Sequence, residues 1–233
     1  MRARTRQSSL PWPGNWYVPD FQVSSDEGLV ELEERRRERA RILLDRYGVL
    51  FREILGREQG VFAWREIFPA LRLMELAGEV VGGQMFTGAS APQFMTLAGL
   101  RRLARTVDRR DVYWFNATDP ASLCGLGISG LKGVLPERRP GTHLVFRGRD
   151  LVLVSRGHGK VLDIRVEQDD PDLPLMLEPL RHMLTRRINP RRRLKVESIN
   201  EEAALASPYL DTLRSCFKAL PDHSKVTLFP LVP

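Results

Sequence analysis

Asn116-Ala117-Thr118-Asp119-Pro120-Ala121-Ser122-Leu123-Cys124-Gly125 lies where the hydrophobic periodicity of this chain changes. Its small residues, its Asp-Pro step and its glycine predict a loop. Up to about Asp108 apolar residues recur mainly at helical spacing; beyond it they come in short runs at strand spacing.

Toward the N-terminus, residues 29–47 carry a broken stripe through Leu29, Leu32, Arg36, Leu43, Leu44 and Tyr47. Glu31, Glu33 and Glu34 come first and arginines follow, an order that suits the helix dipole and offers i,i+4 pairs. Gly48 is placed to stop this helix. A second short helix is expected over 50–57. A third, over 64–77, has Trp64, Ile67, Phe68, Leu71 and Met74 as its buried face. Pro69 falls inside it and removes a backbone hydrogen bond or kinks it. Residues 79–86 read as a β-hairpin turning at Gly82-Gly83, and a further helix is expected over 97–106. Three helices and a hairpin in this order make a winged helix over 29–108. Residues 1–28 read as an extended connector with Trp12, Trp16, Tyr17 and Phe21 as aromatic anchors.

Toward the C-terminus, strands are expected over 112–115, 142–146, 151–155 and 161–166, turning at Gly148 and at Gly157 and Gly159. A helix over 173–188 has Pro174 in its first turn. A strand over 194–199, a helix over 208–217 and a strand over 226–229 complete the pattern. The fold class is therefore α+β: a winged helix followed by a small β-rich, barrel-like domain with two helices, over 109–233.

Composition narrows the partners. The 233 residues are 42% hydrophobic and 28% charged, with net charge +7. This excess of cations favours an anionic partner, nucleic acid before acidic lipid. Cys124 and Cys216 form no C-x-x-C pair and read as small core residues of a reducing compartment. His143, His158, His182 and His223 have no metal-ligand spacing. No apolar run is long enough to span a membrane, and Met1-Arg2-Ala3-Arg4 is followed by no apolar signal core. The expectation is a cytoplasmic protein without metal or other cofactor.

Several separate stretches, in shared order, carry a resemblance. They are Gly14-Asn15-Trp16, Leu44-Asp45-Arg46-Tyr47-Gly48-Val49, Gly78-Glu79-Val80 at the end of the third helix, Pro92-Gln93-Phe94, Thr118-Asp119-Pro120, Leu151-Val152-Leu153-Val154, and Ser207-Pro208-Tyr209-Leu210 followed by Phe217. From about Trp12 onward the chain resembles the C-terminal region of the bacterial large helicase-related (Lhr) proteins, a family of DNA repair helicases. The motor's motifs are not here: no G-x-x-x-x-G-K-[ST] loop exists, and Gly157-His158-Gly159-Lys160 lacks its spacing and its Ser/Thr. The resemblance implies a DNA-binding accessory module, with single-stranded or damaged DNA and helicase motor domains as partners. A DNA glycosylase acting on bases such as uracil, and an oligomerisation scaffold joining sister chains, are the alternatives.

Candidate residues follow. Arg65 and Arg72 face away from the apolar stripe of the third helix and are placed for phosphate contacts. Gln84 and Gln93 flank the wing, in a layout resembling the post-wing region of winged-helix DNA glycosylases, where an amide could meet a base edge. The other reading of each is a satisfied polar residue in a turn. Arg186, Arg187, Arg191, Arg192, Arg193 and Lys195 form the densest cation run and straddle Pro190, a phosphate-tracking loop or a solvated one. Asp119 is either a catalytic carboxylate or the start of an Asx-turn. Asp222, beside His223, is a second acid/base candidate with the same two readings.

Overall fold

The computed structural model describes residues 28–89, 91–104 and 110–231. The expected N-terminal connector and its aromatic anchors lie outside the described residues. So does the end of the helix expected over 97–106.

The first half is built on α1 (Leu29–Tyr47), β1 (Val49–Leu50), α2 (Arg52–Leu55), α3 (Trp64–Leu76), β2 (Val80–Gly83), β3 (Gln93–Thr96) and α4 (Leu97–Ala104). Gly48, at φ 74°, caps α1 and donates its N–H to the carbonyl of Leu44. This left-handed conformation costs glycine nothing and turns the chain directly into β1. The three strands form an antiparallel sheet in the order β1-β3-β2. Helix, strand, two helices and a two-stranded wing is the winged-helix topology.

The expected Gly82-Gly83 turn does not form. Those glycines end β2, which pairs with β3 in the register Val80↔Thr96 to Gly83↔Gln93. The wing is therefore the longer connection from Gln84 to Pro92. The short strand β1 replaces the expected start of the second helix, because Val49 and Leu50 pair with Met95 and Phe94. Ala40, Leu43, Leu44, Leu50, Phe51, Ile67, Leu71, Met74 and Phe94 form the first core. Pro69 neither ends nor splits α3. It sits on the solvent side of the helix, where the carbonyl it leaves unpaired can meet water.

The second half contains β4 (Val112–Asn116), β5 (His143–Arg147), β6 (Asp150–Arg156), β7 (Val161–Ile164), α5 (Leu173–Met176), α6 (Glu178–Thr185), β8 (Leu194–Val196), β9 (Ser198–Ile199), β10 (Glu202–Ala203), α7 (Leu210–Cys216), β11 (Lys218–Asp222) and β12 (Lys225–Phe229). It is mixed α and β, as expected, but it is not barrel-like. One sheet runs β10-β9-β7-β6-β5-β4 and another β11-β12-β8; both are open.

Three local readings change. The helix expected over 173–188 is two short helices, because Pro179 lacks an N–H and cannot continue the first. The strand expected over 194–199 is split between sheets: β8 pairs with β12, and β9 lies parallel to β7. Strand β11 was hidden by Pro221, which is tolerated because β11 is a sheet edge. The second core lies under the larger sheet, between it, α5 to α7 and the smaller sheet; Leu153, Leu162, Met176, Leu180, Leu213, Phe217 and Leu228 are among its buried members.

Candidate nucleic-acid interface

The block around Asp119 is held from two sides. Asn116 Oδ1 accepts from the N–H (2.9 Å) and the hydroxyl (2.7 Å) of Thr118. Asp119 Oδ1 accepts from the N–H of Ala121 at 2.8 Å, an Asx-turn. Arg138 donates to the carbonyls of Ala117, Thr118 and Asp119 at 3.1, 2.7 and 3.0 Å. Arg57, which follows α2, reaches across from the winged helix to the carbonyls of Ser122 and Cys124, both at 2.7 Å, and of Pro120 at 3.3 Å. Burial, and secondarily the nearby Arg138, push the Arg57 guanidinium below its ordinary range. Neither arginine was singled out by the sequence, since a clamp on backbone carbonyls leaves no side-chain pattern to read.

Asp222 lies elsewhere, at the end of β11 in the smaller sheet. Its carboxylate accepts from Lys195 at 3.0 Å and lies 3.3 Å from His223 Nδ1. The Lys195 bond, then the His223 contact, hold it below the usual carboxylate range. The two candidate acids are thus in separate places, Asp119 in the loop after β4 and Asp222 at the end of β11. Lys195 is engaged by Asp222 and is not a free cation of the basic run.

On the winged helix, both α3 arginines are exposed but partnered. Arg65, 84% exposed, pairs with Glu66 at 3.2 Å, and Arg72 pairs with Glu75. Leu73 and Leu76 share that exposed side, the latter at 81%. The charge offered to phosphates by α3 is therefore largely neutralised on the helix itself. Gln84 is exposed in the wing. Gln93 is 1% exposed, and its amide is consumed within the wing. Its Oε1 accepts from the N–H of Met85 (2.8 Å) and Phe86 (2.7 Å), and its Nε2 donates to the Phe86 carbonyl (2.9 Å). Gln93 shapes the wing, and its buried amide does not face a base.

The basic run is different. Arg186, Arg187, Arg191, Arg192 and Arg193 are all exposed, and none has a carboxylate partner among the described residues. The loop is held by its backbone: the Arg191 N–H donates to the Met183 carbonyl at 2.8 Å, and Arg186 Nε donates to the Asn189 carbonyl at 3.1 Å. Asn189 takes φ 49° at the turn. Beside this loop lies a group of histidines that spacing alone could not bring together. His143, 6% exposed, has its Nε2 3.2 Å from Asn116 Nδ2, and its ring packs edge-on to Trp114. His182 packs on the same indole at 5.1 Å. Burial, then the charges of His158, His182 and Arg186, lower His143 to about 4. Burial, Arg191 and Arg186 lower His158. The neutral forms of His143 and His158 are thus favoured, while the arginines supply the positive charge.

Residues 30–115 match the family model of the winged-helix domain of the Large helicase-related protein. This part of the chain is similar to an Lhr winged-helix domain. An Escherichia coli (strain K12) protein described as an Lhr helicase/uracil glycosylase is 27% identical over 211 residues. The alignment covers 86% of this chain but 13% of that protein, so the chain spans a small part of its Lhr relative. Among the described residues no helix is long and apolar enough to cross a membrane.

Proposed function

We propose that this chain is a DNA-binding accessory module of an Lhr-type DNA repair helicase, working beside motor domains that it does not itself supply. The observation that carries the reading is the run of five exposed arginines at 186–193 that have no carboxylate partner among the described residues. Elsewhere many arginines have a carboxylate at hand, as Arg41, Arg46 and Arg147 do. Exposed cations left without counter-charges attract a polyanion, and neutralising phosphates releases counterions.

The test is binding of a labelled single strand by the full chain across a salt series. Each phosphate contact on single-stranded DNA contributes a slope of about −0.7 in log K against log salt. Replacing Arg187, Arg191 and Arg192 together by alanine is expected to reduce the slope by about 2 and to weaken binding to every sequence alike. Binding without a salt slope, or a triple variant with unchanged slope, overturns the reading. Arg65→Ala and Arg72→Ala are expected to change it little, since each arginine is matched by its own glutamate.

A second reading, removal of damaged bases such as uracil, is favoured by the description of the Escherichia coli relative and by a carboxylate, Asp119, set in a loop clamped by Arg57 and Arg138. Asp119→Asn is a clean probe, because an amide oxygen can still accept the Ala121 N–H. If Asp119 is the catalytic carboxylate, abasic-site formation falls at least about 100-fold. Unchanged formation removes Asp119 from the chemistry and leaves Asp222 as the remaining candidate.

A further inference from the structure

On the face of the larger sheet opposite the second core, three aromatic rings stand in a row. Tyr113 and Phe146 are directly paired across β4 and β5, with ring centroids 5.5 Å apart and planes 10° apart. Phe146 and Phe115 are likewise 5.5 Å apart and 17° from parallel. The row ends in a cleft of about 430 Å³ between this sheet face and the loop after β4. Phe115 and Phe146 line its sheet side, Leu131 and Leu135 its loop side, and Arg149 and Arg165 stand in its lining with Asp150 as the one carboxylate. Arg165 is shared with Asp163 at 3.1 Å, whereas Arg149 is exposed and has no carboxylate partner among the described residues.

We infer that this cleft receives a nucleobase of single-stranded DNA, stacked on the Phe115–Phe146 pair, with Arg149 toward the attached phosphodiester. The chemistry of the lining selects this occupant. Near-parallel rings offer a flat, polarisable surface that another planar ring extends, and every base has such a face. An aliphatic peptide would fill the cleft equally well but gains nothing from a guanidinium at its mouth. A flexible strand brings both parts at once, an aromatic base and a phosphate tied to it. The cleft is closed by the loop that Arg57 and Arg138 clamp, so its loop wall is already in place before a base enters.

The inference rests on the DNA-binding reading above, and its test separates the two. The full chain is titrated with a single-stranded oligonucleotide and with an abasic tetrahydrofuran analogue of equal length and charge, at several salt concentrations. Base stacking is expected to make the base-bearing strand bind about tenfold tighter. Phe115→Leu and Phe146→Leu, which keep apolar bulk, are expected to bring that ratio close to one while leaving the salt slope intact. Cross-linking of the unaltered protein to a 5-iodouracil strand provides a readout that needs no variant. Adducts on residues 112–116 or 143–147 support the site. Equal binding of the two strands with a normal salt slope, or adducts only elsewhere, overturns this inference and spares the DNA-binding reading. Binding of neither strand overturns both.

Discussion

Arg57→Ala is expected to lower the unfolding free energy by about 2–3 kcal/mol, a large change for a partly exposed side chain. The guanidinium bonds three backbone carbonyls, those of Pro120, Ser122 and Cys124, more than 60 residues away in sequence. Hydrogen bonds from a charged donor are each worth more than neutral ones, and truncation leaves part-buried carbonyls without a partner. The loop they belong to also contributes Leu123, Leu126, Ile128 and Leu131 to the winged-helix core, so loosening it loosens packing on both sides. Urea denaturation measures the loss, and hydrogen exchange at Ala121 to Cys124 locates it. Arg57→Lys should restore only part of the stability, because an ammonium lacks the planar fork that reaches two carbonyls at once. An unchanged denaturation midpoint in Arg57→Ala would mean that the clamp is idle.

The second large effect is on pH dependence. His143 titrates at about 4 in the folded chain, chiefly through burial and then through His158, His182 and Arg186, against an ordinary value of 6.5. As pH falls below 6.5 the unfolded chain takes up a proton that the folded chain refuses, so stability falls with pH until the folded histidine also protonates near 4. The loss from this group is about 2 kcal/mol by pH 5 and about 3 kcal/mol at most. His158, lowered for the same reasons, acts in the same direction. His143→Asn, compared with the parent by urea denaturation at pH 7 and pH 5, should lose less stability over that interval by about 2 kcal/mol. Parallel losses in the two proteins would show that His143 is not the group responsible.

The legible features of this chain were those encoded by near neighbours. The α1 helix came out with its expected bounds, 29–47, because an apolar stripe, early glutamates, late arginines and a terminal glycine act within a few turns. The hairpin around Gly148 and the meander that follows it were legible for the same reason, alternation plus a turn residue. The winged-helix order was readable, yet the wing was placed too early. Gly82-Gly83 has turn chemistry, but burying Phe94 and Met95 against the helices recruits β3 as the partner, and strand pairing overrides a local turn preference.

The candidate site divides along the same line. Near-neighbour patterns were enough to mark residues 186–193 as a cationic stretch broken by Pro190 and the Asp119-Pro120 step as part of a loop, since both are local facts. Which of the cations have a carboxylate partner was settled by the tertiary structure. Glu66, Glu75 and Asp222 lie within reach of Arg65, Arg72 and Lys195, while among the described residues no acid reaches the arginines of 186–193. It also decided that Gln93 is consumed within the wing, that Arg57 clamps a distant loop, and that Phe115 and Phe146 share a cleft. Each depends on chain segments tens of residues apart packing around common cores, and no period of 2 or 3.6 carries that information.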